Sequence, residues 1–94
     1  MRGIIWTEPA LDDLEGIRAY IGQFNPTAAE RIATRLREAG DSLKEHTDRG
    51  RPAGRYRELT VVHPYVLRYR LVGDQVAILR IRHGKRRPLR GRIP

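Results

Sequence analysis

Three histidines, one serine and a large set of arginines are the side chains in this 94-residue sequence with the most obvious chemical potential. The densest grouping is His83-Gly84-Lys85-Arg86-Arg87, an imidazole followed by cations. Positive neighbours disfavour imidazolium, so His83 reads as a neutral base. Arginines at the same point can stabilise the extra negative charge of a phosphorane-like transition state in RNA cleavage. The plainer reading is that His83 ends a strand and the cations only bind. Ser42 lies within a helical pattern, with no elbow or base spacing around it, which argues against a hydrolase triad. The histidines lack metal-ligand spacing and there is no cysteine, so neither a metal nor a cofactor is expected. No glycine-rich loop joins a strand to a helix, as phosphate-cradling nucleotide folds require. The paired carboxylates Asp12-Asp13 stand at a helix start, where capping explains them.

Charge is distributed unevenly. Residues 1–48 hold six Lys/Arg and nine Asp/Glu, whereas residues 49–94 hold thirteen and two. Seventeen of the nineteen basic residues are Arg, whose planar fork matches phosphate and carboxylate. A half this basic points to nucleic acid or to an acidic protein partner. Missing cysteines favour a cytoplasmic protein, and no apolar run approaches the roughly 20 residues that span a bilayer, so no membrane role is expected. The length fits one domain over residues 1–94, with 88–94 read as a mobile basic tail.

These side chains must be positioned by a small set of elements. Ile4, Ile5 and Trp6 form a β-prone run. Thr7-Glu8-Pro9 then starts a helix, with a hydroxyl cap and a proline in the first turn. Leu11, Leu14, Ile17, Ile21 and Phe24 recur at helical spacing and predict one buried face. Asn25-Pro26 caps a second helix, carrying Ala29, Ile32, Ala33, Leu36 and Leu43, so the two should form an antiparallel hairpin. Residues 46–54 read as a loop. Strands are predicted over Tyr56–Val62, Tyr65–Val72 and Val76–His83, with turns at His63-Pro64 and Gly73-Asp74-Gln75. The fold class is therefore α+β, an N-terminal helical hairpin packed on one face of an antiparallel sheet of three or four strands.

Register decides where the arginines go. A two-residue loop would set Tyr69 opposite Ile78 and mix charged with apolar residues on both faces. A three-residue loop sets Val72 opposite Val76 and sorts them. One face then holds Leu67, Tyr69, Leu71, Ala77, Leu79 and Ile81. The other holds Val66, Val72, Val76 and Ile78 and gathers Arg68, Arg70, Arg80 and Arg82 into a block of like charge, and the expectation is that a partner supplies the anions. A helix-turn-helix DNA binder fits less well, because the basic residues fall on strands. A β-sheet RNA binder is harder to set aside, but Phe24 is the only Phe and the RNP signature with its base-stacking aromatics is absent.

Ala10-Leu11-Asp12-Asp13-Leu14, Asn25-Pro26-Thr27-Ala28-Ala29, Arg57-Glu58-Leu59, Tyr65 through Arg70 and Val76 through Arg87 together resemble the RelE/ParE superfamily of type II toxin–antitoxin toxins. Their order and spacing carry the likeness over nearly the whole chain. The resemblance implies a bacterial toxin neutralised by a short acidic antitoxin that folds on it. RelE-type members cleave mRNA on the ribosome with basic side chains and no metal. ParE-type members block DNA gyrase. If this chain is a ribonuclease, the resemblance assigns its chemistry to Arg57, His83, Lys85 and Arg86. Leu59 and Val66, however, stand where ribonucleases of this type carry a Lys and an Arg, and each loss should cost about 10²–10³ in rate. The ParE-like reading therefore leads, with a degenerate toxin or passive basic module as a third possibility. The expected target surface is Arg57, Arg68, Arg70, Arg80, Arg82, His83, Lys85, Arg86 and Arg87. The expected antitoxin contacts are the apolar edges around Leu14, Ile21 and Leu36.

Overall fold

A computed structural model describes residues 3–84. Lys85, Arg86, Arg87 and the rest of the basic tail lie outside the described residues.

The order is β1 (Gly3–Trp6), α1 (Glu8–Gly22), α2 (Pro26–Asp41), a short 3-10 turn (Ser42–Lys44), β2 (Arg51–Ala53), β3 (Tyr56–Val62), β4 (Tyr65–Val72) and β5 (Gln75–His83). Both helix starts follow the sequence signals. Thr7 accepts from the Ala10 N–H and Asn25 from the Ala28 N–H, and each helix carries proline in its first turn. α1 packs on β5 and α2 on β3, so the helical hairpin lies across one face of the sheet.

The sheet has five strands rather than three or four, in the order β1-β5-β4-β3-β2. Two strands account for the difference. β1 joins the edge of β5 in parallel, pairing Gly3 with Gln75 through Trp6 with Ile78, so the sheet is mixed although mostly antiparallel. β2 forms within the stretch read as loop, pairing Arg51 with Glu58 and Ala53 with Tyr56. Its Pro52 hid it, yet a proline fits an edge strand, where one side needs no donor. Gly54 makes the tight return with φ +67.

The last hairpin corrects the register and explains the error. Near the turn, Val72 pairs with Gln75, Leu71 with Val76 and Tyr69 with Ile78, as in the two-residue loop. Gly73 adopts φ +64 there, as a tight hairpin turn demands. Beyond a bulge at Leu79, Arg68 pairs with Arg80, Leu67 with Ile81 and Val66 with Arg82, the pairing expected for the longer loop. The extra residue lets a tight turn and a sorted sheet coexist. It also moves Val76 and Ile78 into the core, where both are fully buried beside Leu67, Tyr69 and Ile81.

The core is completed by Ala10, Leu36, Ala39, Leu43, Leu59 and Val62, with Ile4, Trp6, Leu14, Ile17 and Ile32 against it. The buried face of α1 is thus the row Ala10, Leu14 and Ile17. Leu11 and Phe24, expected inside, are exposed, and Phe24 meets the exposed Tyr20 edge-on with ring centroids 5.6 Å apart. Gly40 lets α2 approach β1, since a Cβ there would collide with the Trp6 ring. The indole N–H donates to the Asp41 carboxylate at 3.0 Å, and Arg37 lies over the ring.

Candidate functional site

Strand alternation splits the basic residues between two faces. Arg68 and Arg80 are cross-strand partners, and Arg70 and Arg82 share their parity, opposite to the core residues Leu67 and Tyr69. All four therefore belong to the face away from the helices, as the sequence predicts. Arg57, in contrast, pairs with Tyr69 across β3 and β4, and His83 pairs with Tyr65 across β4 and β5. These two lie on the helix-side face.

For Arg68, Arg80 and Arg82, the expectation that a partner must neutralise the arginine block is corrected by two acids of the chain itself. Glu58, only 8% exposed, accepts from Arg68 Nη2 at 2.9 Å and from Arg82 Nη2 at 3.2 Å. Burial pushes the Glu58 carboxyl up, but the hydrogen bonds and charges of Arg68 and Arg82 outweigh it and hold the group below the usual carboxylate value. Arg68 also stacks over the Tyr56 ring. The other acid is Asp13, read from sequence as helix capping. It accepts from Arg80 Nε at 2.8 Å and Nη2 at 3.1 Å, and also from the backbone N–H of Ile81 at 2.9 Å. β1 pairs with β5 only as far as Ile78, so the Ile81 N–H lies beyond its reach. Asp13 takes the place of the missing strand.

On the helix-side face, Arg57 donates from Nη1 to the Gly50 carbonyl at 2.5 Å. Tyr69, fully buried, donates to the Thr47 carbonyl at 2.7 Å and accepts from the Gly50 N–H at 2.9 Å. Burial is the main cause that pushes the Tyr69 hydroxyl above its ordinary value. Arg57 and Tyr69 together pin residues 47–50, and a Cβ at Gly50 would strike the Tyr69 ring and hydroxyl. His83 meets the Tyr65 ring edge-on at 5.6 Å between centroids.

The separation between Arg57 and His83 follows from register. Tyr69 and Tyr65 are four residues apart on β4, and Arg57 and His83 lie on the flanking strands. Their backbones are therefore about 16 Å apart by strand rise and spacing. Leu59 is a core residue and Val66 is 7% exposed, so neither position faces solvent. Leu36 is 1% exposed inside the core and is closed to an antitoxin in this conformation, which removes it from the expected contact edge. Leu14 and Ile21 are half-buried.

Sequence reasoning overlooked the two acids that organise the arginines. For Glu58 the signal was its rarity, as one of two acids in a strongly basic half. Nothing in the sequence linked Asp13 to a strand 67 residues away.

The comparisons agree with this architecture. Residues 4–88 match the family described as the ParE toxin of the type II toxin–antitoxin system parDE. The chain is 54% identical over 87 residues to Toxin RelE2 of Caulobacter vibrioides, covering 92% of this chain and 99% of that protein. It is 38% identical over 79 residues to Toxin RelE3 of the same organism, covering 80% and 86%. A solved structure titled "Chromosomal ParDE TA system from P. aeruginosa" superposes with a TM-score of 0.81 at 27% identity, covering 88% of this chain and 96% of that one. No described helix is long and apolar enough to cross a membrane. Sequence match and fold together make this chain a member of the ParE toxin family, the toxin of a type II toxin–antitoxin pair whose partner is an antitoxin.

Proposed function

We propose that this toxin acts by binding DNA gyrase and obstructing it, not by cutting RNA. The observation that carries this reading is the separation of Arg57 from His83, two of the groups a nuclease would need to bring together. A general base and its charge stabilisers must lie within about 3 Å of the reacting atoms. Arg57 and His83 stand about 16 Å apart by backbone, and the Arg57 guanidinium is turned to the β2 side by the Gly50 carbonyl. Arg68 and Arg82 are engaged by Glu58, and Arg80 by Asp13. Beyond β5 the sequence adds Lys85, Arg86 and Arg87, a run of cations suited to an acidic protein surface.

The RelE names of the curated relatives favour a second reading, a ribosome-dependent mRNA endoribonuclease using Arg57, His83, Lys85 and Arg86. Inducing the toxin in cells separates the two. Gyrase obstruction predicts DNA damage, an SOS response and filamentation with intact transcripts, and inhibition of supercoiling by purified gyrase. Transcripts cut within codons, with supercoiling untouched, would overturn it.

A further inference from the structure

The helical hairpin does not cover the whole of its sheet face. At the corner beyond Tyr69, between the β2–β3 return and β4, lies an open groove of about 310 Å³. Pro52 and Arg55 form one side, Tyr69 and Leu71 line it, and Arg57 and Arg70 border it. Leu71 is 47% exposed, although its neighbour across the strand, Val76, is fully buried.

The charges here differ from those elsewhere on the sheet. Arg68 and Arg82 share the Glu58 carboxylate, and Arg80 pairs with Asp13. Among the described residues, Arg55, Arg57 and Arg70 have no carboxylate within 4 Å, and Arg57 is bound only to backbone carbonyls. No Asp or Glu follows Asp74 in the sequence. Three unneutralised guanidinium groups around exposed apolar surface call for an occupant with both carboxylates and an apolar side chain.

We infer that this groove is a docking site for an acidic peptide segment of the antitoxin, which places an aliphatic or aromatic side chain on Leu71 and carboxylates against Arg55, Arg57 and Arg70. A nucleic acid would satisfy the charges but leave Leu71 without a matching contact. An acidic segment satisfies both, with charge complementarity setting the rate and register of encounter and apolar contact holding the complex. The inference does not depend on whether gyrase or RNA is the target.

The test is a titration of fluorescein-labelled full-length cognate antitoxin against the purified toxin, read by anisotropy over a range of salt concentrations. Arg55→Ala/Arg70→Ala should raise Kd about tenfold or more and flatten its salt dependence. Arg31→Ala/Arg35→Ala removes the same charge from the exposed side of α2 and should change Kd less than threefold. Leu71→Asp, at an exposed position, should weaken binding at least as much as the arginine pair. Thermal melting of each variant verifies the fold. The proposal is overturned if the groove variants bind the antitoxin like the control pair. It is equally overturned if they lose only binding of a labelled single-stranded oligonucleotide.

Discussion

Glu58 stands directly across from Arg68 on neighbouring strands, and its buried carboxylate is shared with Arg82 from the next strand over. One acid thus links three strands of the sheet. Glu58→Gln should destabilise the toxin by about 1–2 kcal/mol at pH 7, an amount tempered because both arginines are more than a third exposed. The pH dependence has a definite sign. Glu58 has a lowered value in the folded state, so its contribution is complete above the unfolded carboxylate value of about 4.3 and disappears as pH falls through the folded value. Urea melts at pH 7 and pH 3 should therefore show wild type and variant converging in acid. A constant gap would mean the carboxylate is not the titrating group.

Removing the Tyr69 hydroxyl tests how the 47–50 loop is held. Tyr69→Phe deprives the buried Gly50 N–H of its acceptor and the Thr47 carbonyl of a donor, at a cost of about 1–3 kcal/mol. Amide exchange should accelerate at Gly50 before it does in the central strands. Unchanged protection there would show that Arg57 alone holds the loop.

Asp13 and Arg80 form an ion pair whose two ends should weigh very differently. Arg80 is 60% exposed, so Arg80→Ala should cost less than about 1 kcal/mol. Asp13→Ala also strips the Ile81 N–H of its acceptor and should cost about 1–3 kcal/mol. Chemical denaturation of both variants decides whether the backbone contact or the charge pair dominates. Equal losses would favour the pair.

On the functional side, Arg86→Ala should abolish the growth arrest expected on induction, whichever target is attacked. Colony counts after induction read this directly. Survival no better than wild type would remove the strand-end cations from the toxic surface.

Much of this fold is legible in residue patterning because local chemistry and tertiary structure agree. Thr7-Glu8-Pro9 and Asn25-Pro26 start helices where they are read to start, and β3 and β4 begin and end at their predicted residues. Failures arise where a distant contact decides. Leu11 obeys helical spacing as well as Leu14 does, and only the position of β5 chooses between them. The choice between loop lengths presumed a regular strand, and the bulge at Leu79 lets both answers hold in different halves. The arginine block was visible as a pattern. The pairing of three of its members with Asp13 and Glu58 was not, because one partner is on another element and the other is a single glutamate among cations.

The first strand completes the sheet only by lying beside the last. Thr7 bonds to Ile78 across 71 residues, and α1 also rests on β5. A nascent chain that has emerged only through β4 lacks the surface that both N-terminal elements need. The long-range closures that fix this topology come late in chain growth and slow its folding. A chain cut short before β5 would therefore lack the strand on which β1 and α1 both rest, and would stay unassembled.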